Sequence, residues 1–358
     1  MKYFLSIAAA MIQVLAATPE IKIGLIPTAA LGRRAGADFT KIDWSADSEW
    51  FRKPAPVCRA SAKPMDFSKF HEVAKAYGMT PKWSQYVEQD YGKQSDGAFW
   101  YDDHAPDRFW VALGSPKMHK FCFKAARYFK FERDEHQNAI VKPLPSKEQS
   151  VTIAREWMKK LGIDESELYR HGDEPDGFDI VFRIDLERGF QYGTTIEKEY
   201  LYGITLNFAQ QIGGLSVLWH GNGGTLVCEI GDGSEFCSMY GTLSGWEKVG
   251  DYPVLNREEI TQALQEKYFW ADTPFECDRI EIIKVRLEVF HANEDAHQKD
   301  FPLIYTFCCK LHGGKDDGKE ENLYMPALKQ QRNRYGPPPT GKPPTTEEGK
   351  PAAKMESF

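Results

Sequence analysis

Apolar residues in three stretches of the chain recur at the spacing of one face of a helix. In LPSKEQSVTIAREWMKKLGI, residues 144–163, Val151, Ala154, Trp157, Met158 and Leu161 form one stripe, the arrangement that buries a single side of a helix. Ser146 and Gln149 stand three apart at its start, a capping-box pair, and Gly162 stands where the chain needs a left-handed residue to stop. MDFSKFHEVAKAYGM, residues 65–79, repeats the design, with Asp66 as N-cap, Phe67, Phe70, Ala74 and Tyr77 as the stripe, and Gly78 as the stop. Aligned on their glycines, the two stripes coincide at 67/151, 70/154, 74/158 and 77/161. VLNREEITQALQEKYF, residues 254–269, predicts a third helix, with Asn256 and Glu259 as the box and Ile260, Ala263, Leu264 and Tyr268 as the stripe.

After the second and third of these helices the period falls to two. FDIVFRIDLE puts Phe178, Ile180, Phe182, Ile184 and Leu186 on one face, and YLYGITLNF does the same with Tyr200, Tyr202, Ile204, Leu206 and Phe208, the alternation of half-buried strands. In RIEIIKVRLEVFH the apolar set changes parity between Ile282 and Ile283; a bulge near Ile282 would keep both halves toward the core. LIYTFCCKL, with Leu303, Tyr305, Phe307, Cys309 and Leu311 in phase, and NLYMPAL at 322–328 complete the set. Helix followed by strands, repeated, predicts an α+β fold of tandem units, each one helix packed on a curved antiparallel sheet. The units run 66–145, 146–255 and 256–332. Residues 18–65 hold no lasting period and read as a loosely structured N-terminal extension. The end, GPPPTGKPPTTEEGKPAAKMESF, has six prolines and one aromatic residue and predicts a disordered Pro-rich tail over 333–358.

The first residues, MKYFLSIAAAMIQVLAATPE, change the setting. One lysine precedes an apolar run from Tyr3 to Ala17 broken by Ser6 and Gln13, shorter than the ~20 residues that span a bilayer. Residues 1–17 therefore read as a secretory signal peptide cleaved after Ala17; retention as an N-terminal anchor is the alternative. An exported chain follows, periplasmic, envelope-associated or secreted, with no later transmembrane segment. Loss of Lys2 with the signal takes the net charge from −7 to −8, and the remaining lysines and arginines are scattered, which excludes the basic face that nucleic acid requires.

All seven cysteines, at 58, 122, 228, 237, 277, 308 and 309, follow the signal. Disulfides persist outside the cell, and an odd number leaves one thiol free or intermolecular. In CEIGDGSEFC, a two-residue turn at Asp232-Gly233 would face Cys228 with Cys237 as a non-hydrogen-bonded pair, Cα atoms ~4.5 Å apart, inside the disulfide window. Cys228 and Cys237 are the structural disulfide candidate. Cys308 and Cys309 point to opposite faces of a strand, and Cys277 and Cys237 are alternative partners for Cys308.

Other clusters of polar groups give no catalytic, cofactor-binding or metal assignment. HANEDAH, residues 291–297, offers two imidazoles and two carboxylates but lies between two strands, where a polar loop belongs. YDDHAPD (101–107) lacks the glycine-turned loop of a calcium site, and HGDEPDGFD (171–179) fails its alternation. Four residues after His71 stands Lys75, so the metalloprotease pair is missing. Ser216 in GLSVL and Ser244 in GTLSG do not complete a nucleophile elbow, and HGNGGT (220–225) runs into a strand instead of opening a helix.

The helix SKEQSVTIAREWMKKLGI, the strands after it, GWEKVGDYPVLNREEITQALQEKY, RIEIIKVRLEVFHA and FPLIYTFCCKLHGG with NLYMPAL together resemble PepSY-like modules and the exported YycH/YycI type of two-component accessory protein, over residues 146–328. The Tyr252–Glu259 segment matches the start of a new unit in that family. The resemblance implies a non-catalytic extracytoplasmic module that binds a protein or peptide partner in the cell envelope and uses no cofactor. The alternative is an exported hydrolase or metal-dependent enzyme whose His, Asp and Glu residues, His104 and His297 among them, assemble only in the fold.

Overall fold

The computed structural model describes residues 37–61, 68–76, 80–81, 99–101, 110–113, 120–124, 132–133, 139–140, 142–170, 180–181, 183–191, 198–219, 225–243, 245–291 and 300–329. An antiparallel sheet of eight strands runs in the order β10 (Arg183–Gln191), β11 (Lys198–Phe208), β14 (Leu226–Gly231), β15 (Phe236–Thr242), β7 (Lys120–Lys124), β6 (Trp110–Leu113), β5 (Phe99–Tyr101) and β4 (Thr80–Pro81). A second sheet runs β12 (Gln211–Ile212), β13 (Leu215–Trp219), β19 (Arg279–His291), β20 (Leu303–His312), β21 (Glu320–Pro326) and β17 (Trp270–Ala271), with β2 (Lys41–Trp44) also on β19. Three two-strand ribbons join β1 (Ala37–Asp38) to β18 (Phe275–Glu276), β3 (Ala55–Ser61) to β16 (Gly245–Tyr252), and β8 (Glu132–Arg133) to β9 (Ala139–Ile140).

β19 organises the second sheet. β20 lies antiparallel along one edge, and on the other edge β2 and β13 both lie parallel to it, β2 against Arg279–Ile282 and β13 against Val289–His291. The parity change in its sequence is a bulge between Ile282 and Lys284. On either side of the bulge Ile280, Ile282, Leu287 and Val289 join one core with Leu303, Tyr305, Phe307, Cys309 and Leu311 of β20. Helix α3 (Arg257–Gln265) closes that core with Ile260, Ala263 and Leu264. Each of the Ile, Leu, Val and Phe side chains contributes ~1.5–3 kcal/mol when fully removed from water. Reciprocal bonds between Asn256 and Glu259, both 2.9 Å, satisfy backbone donors that the first turn leaves open. Inside this core the Tyr305 hydroxyl donates to the Leu255 carbonyl at 3.0 Å.

The eight-stranded sheet carries the other large core. α1 (Ser68–Ala76) and α2 (Lys147–Leu161) both lie on it, sending Phe70, Val151, Ala154, Trp157, Met158 and Leu161 against Ile204, Leu206, Phe208, Phe236 and Met239. Trp157 stacks on Phe236 with centroids 3.8 Å apart. Gly162 ends α2 at φ +72°, and a Cβ there would sit 2.9 Å from the Lys69 side chain. No side chain other than hydrogen fits both the left-handed backbone and the approach of α1.

The expected α+β fold of tandem helix-on-sheet units is therefore corrected. The described residues are mostly strand and hold three α-helices. Two of those helices share a single sheet, and the strands expected in the 146–255 unit are divided, β10, β11, β14 and β15 in one sheet, β12 and β13 in the other. The physical reason is that an amphipathic stripe says which side of a helix is buried but not what covers it. Residues 37–61, expected as part of a loose extension, form β1 to β3 and bury Phe39, Ala55, Val57 and Cys58. The expected signal peptide and Pro-rich tail lie outside the described residues.

Candidate functional site

Strands of the second sheet alternate between the core and the opposite face. On that opposite face the strands place Phe290 of β19, Ile304 of β20, Tyr324 of β21 and Trp270 of β17 in a small apolar cluster, with Leu218 of β13 packed against it. The same face carries polar groups that are equally buried: Ser216 is 3 % exposed, Glu288 2 % and Thr306 2 %. The register explains their convergence. Val217 pairs with Val289 in the parallel direction, so one residue back Ser216 stands beside Glu288. Arg286 pairs with Thr306, and Thr306 with Tyr324, which sets the Thr306 hydroxyl diagonal to Glu288.

The hydrogen bonds are uneven. Thr306 Oγ1 donates to Glu288 Oε2, and Tyr324 donates its hydroxyl to Asp272 Oδ2 at 3.0 Å. Burial, with the Asp272 carboxylate beside it, pushes the Tyr324 phenol above its ordinary range and keeps it a donor. Ser216 Oγ is buried with no hydrogen-bond partner. Among the described residues Glu288 forms no ion pair. A carboxylate taken from water without a cation costs several kcal/mol, and a lost hydroxyl partner ~1–3 kcal/mol. Ser216 Oγ thus lacks the partner that the rest of a chain normally supplies to a buried hydroxyl.

A second constellation joins a hydroxyl, a carboxylate and an imidazole. Ser45 Oγ donates to Glu281 Oε1 at 2.5 Å, and His312 Nε2 lies 2.8 Å from Glu281 Oε2. Both partners lie on the carboxylate, so the imidazole is not the group bonded to the hydroxyl and cannot serve as its base in this arrangement. What the cluster does is tie the end of β2 to β19 and β20, with Arg279 Nη1 on Asp43 Oδ2 at 2.7 Å beside it. The Ser45 hydroxyl, and after it His312, hold the Glu281 carboxyl below its ordinary range.

The disulfide candidate is corrected as well. Cys228 pairs with Met239, Glu229 with Ser238 and Ile230 with Phe236, leaving Cys237 as the extra residue at a register shift. Cys58, Cys228, Cys237, Cys277, Cys308 and Cys309 are free thiols. The turn is longer than two residues: Gly231 N–H reaches the Glu235 carbonyl at 2.7 Å, with Gly233 and Ser234 both at positive φ. Tertiary bonds hold it open, from Lys142 N–H to Asp232 Oδ2 at 2.6 Å and from Gly233 N–H to the Pro143 carbonyl at 3.0 Å. Burial pushes the Cys58 thiol up to about 11 and the Cys237 thiol up to about 12, and it raises Cys228, Cys277, Cys308 and Cys309 likewise. Thiols so shifted are poor nucleophiles at neutral pH.

Of HANEDAH only His291 is described; it ends β19, its ring 5.5 Å from that of Phe301. Of YDDHAPD only Tyr101 is, at the end of β5. Residues 171–179, His104, His297 and Ser244 lie outside the described residues. His71 lies in α1. No group of three or more His, Cys, Asp or Glu among the described residues is placed to hold a metal ion, and no described helix is long and apolar enough to cross a membrane.

Fold and site together define a β-rich chain with a buried carboxylate, Glu288, on the second face of a mixed sheet. No family model matches the chain, and no curated protein matches it. Among solved structures, an uncharacterized protein from Eubacterium rectale is similar at 13 % identity over 80 % of this chain and 86 % of that one, with a TM-score of 0.40. A likeness that low carries no argument.

Proposed function

We propose that the chain is an exported, non-catalytic binding or regulatory protein that holds a protein or peptide partner of the cell envelope through the Glu288 face of its second sheet. The observation that carries this reading is the buried Ser216 hydroxyl without a partner, beside a buried Glu288 whose described bond comes from Thr306, on the sheet face that also carries Phe290, Ile304 and Tyr324. Export rests on the composition of residues 1–17, and a partner-binding role is also what the PepSY-like resemblance of residues 146–328 implies.

The test is capture from an envelope extract by residues 18–358 with EDTA present, comparing wild type with Glu288→Gln at matched load. A protein retained by the wild type and lost with the variant supports the proposal. Equal capture by both, or capture that requires metal, refutes it.

A further inference from the structure

The two edges of β19 are bordered unevenly. β20 pairs with it from Arg279 to Val289 along one edge, while on the other β2 ends at Ile282 and β13 begins at Val289, so residues 283–288 have no strand opposite them there. The backbone directions in this gap follow from a neighbour. Phe290 N–H bonds to the Pro302 carbonyl on the β20 side at 2.9 Å, and alternation along the strand then turns Val285 and Leu287 toward the open edge. Among the described residues no backbone bond reaches either of them from that side. The β2 end of the gap opens to solvent: Ile283 is 36 % exposed, Lys284 is exposed, and Val285 and Arg286 are half-buried, whereas Leu287 and Glu288 are closed over. Val285 therefore holds a backbone donor and acceptor at an opening in the sheet, while its side chain packs against the core. Such an edge is a template for another extended chain.

Charge narrows what that chain carries. Lys284 and Arg286 flank Val285 and stand on the opposite face of the strand. Carboxylates of the same sheet are engaged elsewhere, Glu281 with Ser45 and His312, Glu288 with Thr306, and Asp272 with Tyr324. Among the described residues Arg286 forms no ion pair. A strand added at the gap sets alternate side chains beside Ile283 and Val285 on one face and beside Lys284 and Arg286 on the other.

We infer that the open edge of β19 at residues 283–286 docks an extended segment of a partner protein, with main-chain bonds to Val285, apolar side chains beside Ile283 and Val285, and an acidic residue beside Lys284 and Arg286. The inference rests on the binding role proposed above for the existence of a protein or peptide partner, and it adds a contact at the sheet edge next to Glu288.

The experiment is titration of the full chain, carrying isotope-labelled valine, with an acetylated and amidated Thr-Val-Glu-Val-Glu-Val-Thr peptide and with its counterpart bearing Lys in place of Glu, followed by amide NMR spectra. Expected is binding of the Glu peptide that moves the Val285 amide signal, identified by its loss in Val285→Pro. That variant removes the edge donor but no bond to β20, and it should abolish the binding. Lys284→Glu should weaken the Glu peptide about fivefold and make the Lys peptide the better ligand. Circular dichroism establishes that each variant is folded, and Lys284→Glu, at an exposed position, carries the test if Val285→Pro is not. No shift at ~5 mM Glu peptide, equal binding of the two peptides by the wild type, or binding that the folded variants leave unchanged overturns the inference. A wild-type dimer in sedimentation that Val285→Pro or Lys284→Glu makes monomeric also overturns it and gives the edge to a second copy of the chain. If the peptides fail while envelope capture still depends on Glu288, the binding role stands and the edge is not its contact; if capture is indifferent to Glu288, the binding role itself falls.

Discussion

Arg59→Met should destabilise the protein by about 2–3 kcal/mol, because it removes an ion-pair partner from a carboxylate that has no access to water. Arg59 Nε lies 2.6 Å from Asp300 Oδ1, with the Asp300 side chain 0 % exposed and the Arg59 side chain 39 % exposed. Removing one partner of a buried pair costs ~3–5 kcal/mol, most of it the uncompensated charge left behind. The guanidinium is partly solvated, which lowers the loss toward the bottom of that range and below it. Methionine keeps most of the stem that packs along β3, so the loss reports the charge and not a cavity. Urea denaturation followed by tryptophan fluorescence gives the free energy; a loss of this size also lowers the melting temperature by roughly 4–12 °C for a domain of ordinary size. Replacing both partners, Arg59→Met with Asp300→Leu, should recover most of the loss, since an apolar pair can substitute for an ionic one. A single variant within about 0.5 kcal/mol of wild type, or a double variant no better than the single, refutes the assignment of this pair as the tie between β3 and the β19–β20 connection.

Three further outcomes are expected. Glu281 titrates below its ordinary value, held there by Ser45 and His312, so its stabilisation is present above about pH 4.3 and is lost as pH falls through the lower folded value; acid unfolding of Glu281→Gln should lack that component, and coincident acid profiles would disprove the tie. The raised thiols have the opposite sign: stability is intact below about pH 8.5 and declines as pH rises toward 11 for Cys58 and 12 for Cys237. Ellman's reagent at pH 8 should therefore label native Cys237 far more slowly than the urea-unfolded chain, and equal rates would show the thiol is not shielded. Gly241→Ala would put a Cβ 2.2 Å from the Thr225 carbonyl oxygen, forcing β14 and β15 apart; a loss of about 1–3 kcal/mol is expected in urea denaturation, and an unchanged midpoint would contradict the strand register.

Local structure was the most legible part of the fold. Both capping boxes, the Gly162 stop and the bulge after Ile282 follow from residues within a few positions of one another, because caps and pleats are short-range geometry. Sheet membership did not follow, since it is decided by which strands meet. β11 is followed in sequence by β12 and β13, yet its neighbour in space is β14, and nothing in the alternation of YLYGITLNF says so. The Cys228–Cys237 pairing failed for a related reason: the Asp232-Gly233 signal was read as a two-residue turn, while Lys142 and Pro143, ninety residues earlier in the chain, bond to the turn and lengthen it.

The Glu288 face was hidden by the same alternation that revealed the strand. In RIEIIKVRLEVFH, Arg286 and Glu288 fall opposite Val285, Leu287 and Val289, the position a solvent-facing pair takes in a sheet covered on one side. A signal against that assignment was nonetheless present. Phe290 shares the phase of Glu288, Ile304 breaks the phase of Leu303 and Tyr305, and Tyr324 breaks that of Leu323 and Met325. One large apolar residue out of phase is ordinary on a strand. Three on adjacent strands, which the register aligns, mean that the second face is buried too, and a carboxylate among them must be matched by a donor or a cation. Thr306 supplies that donor.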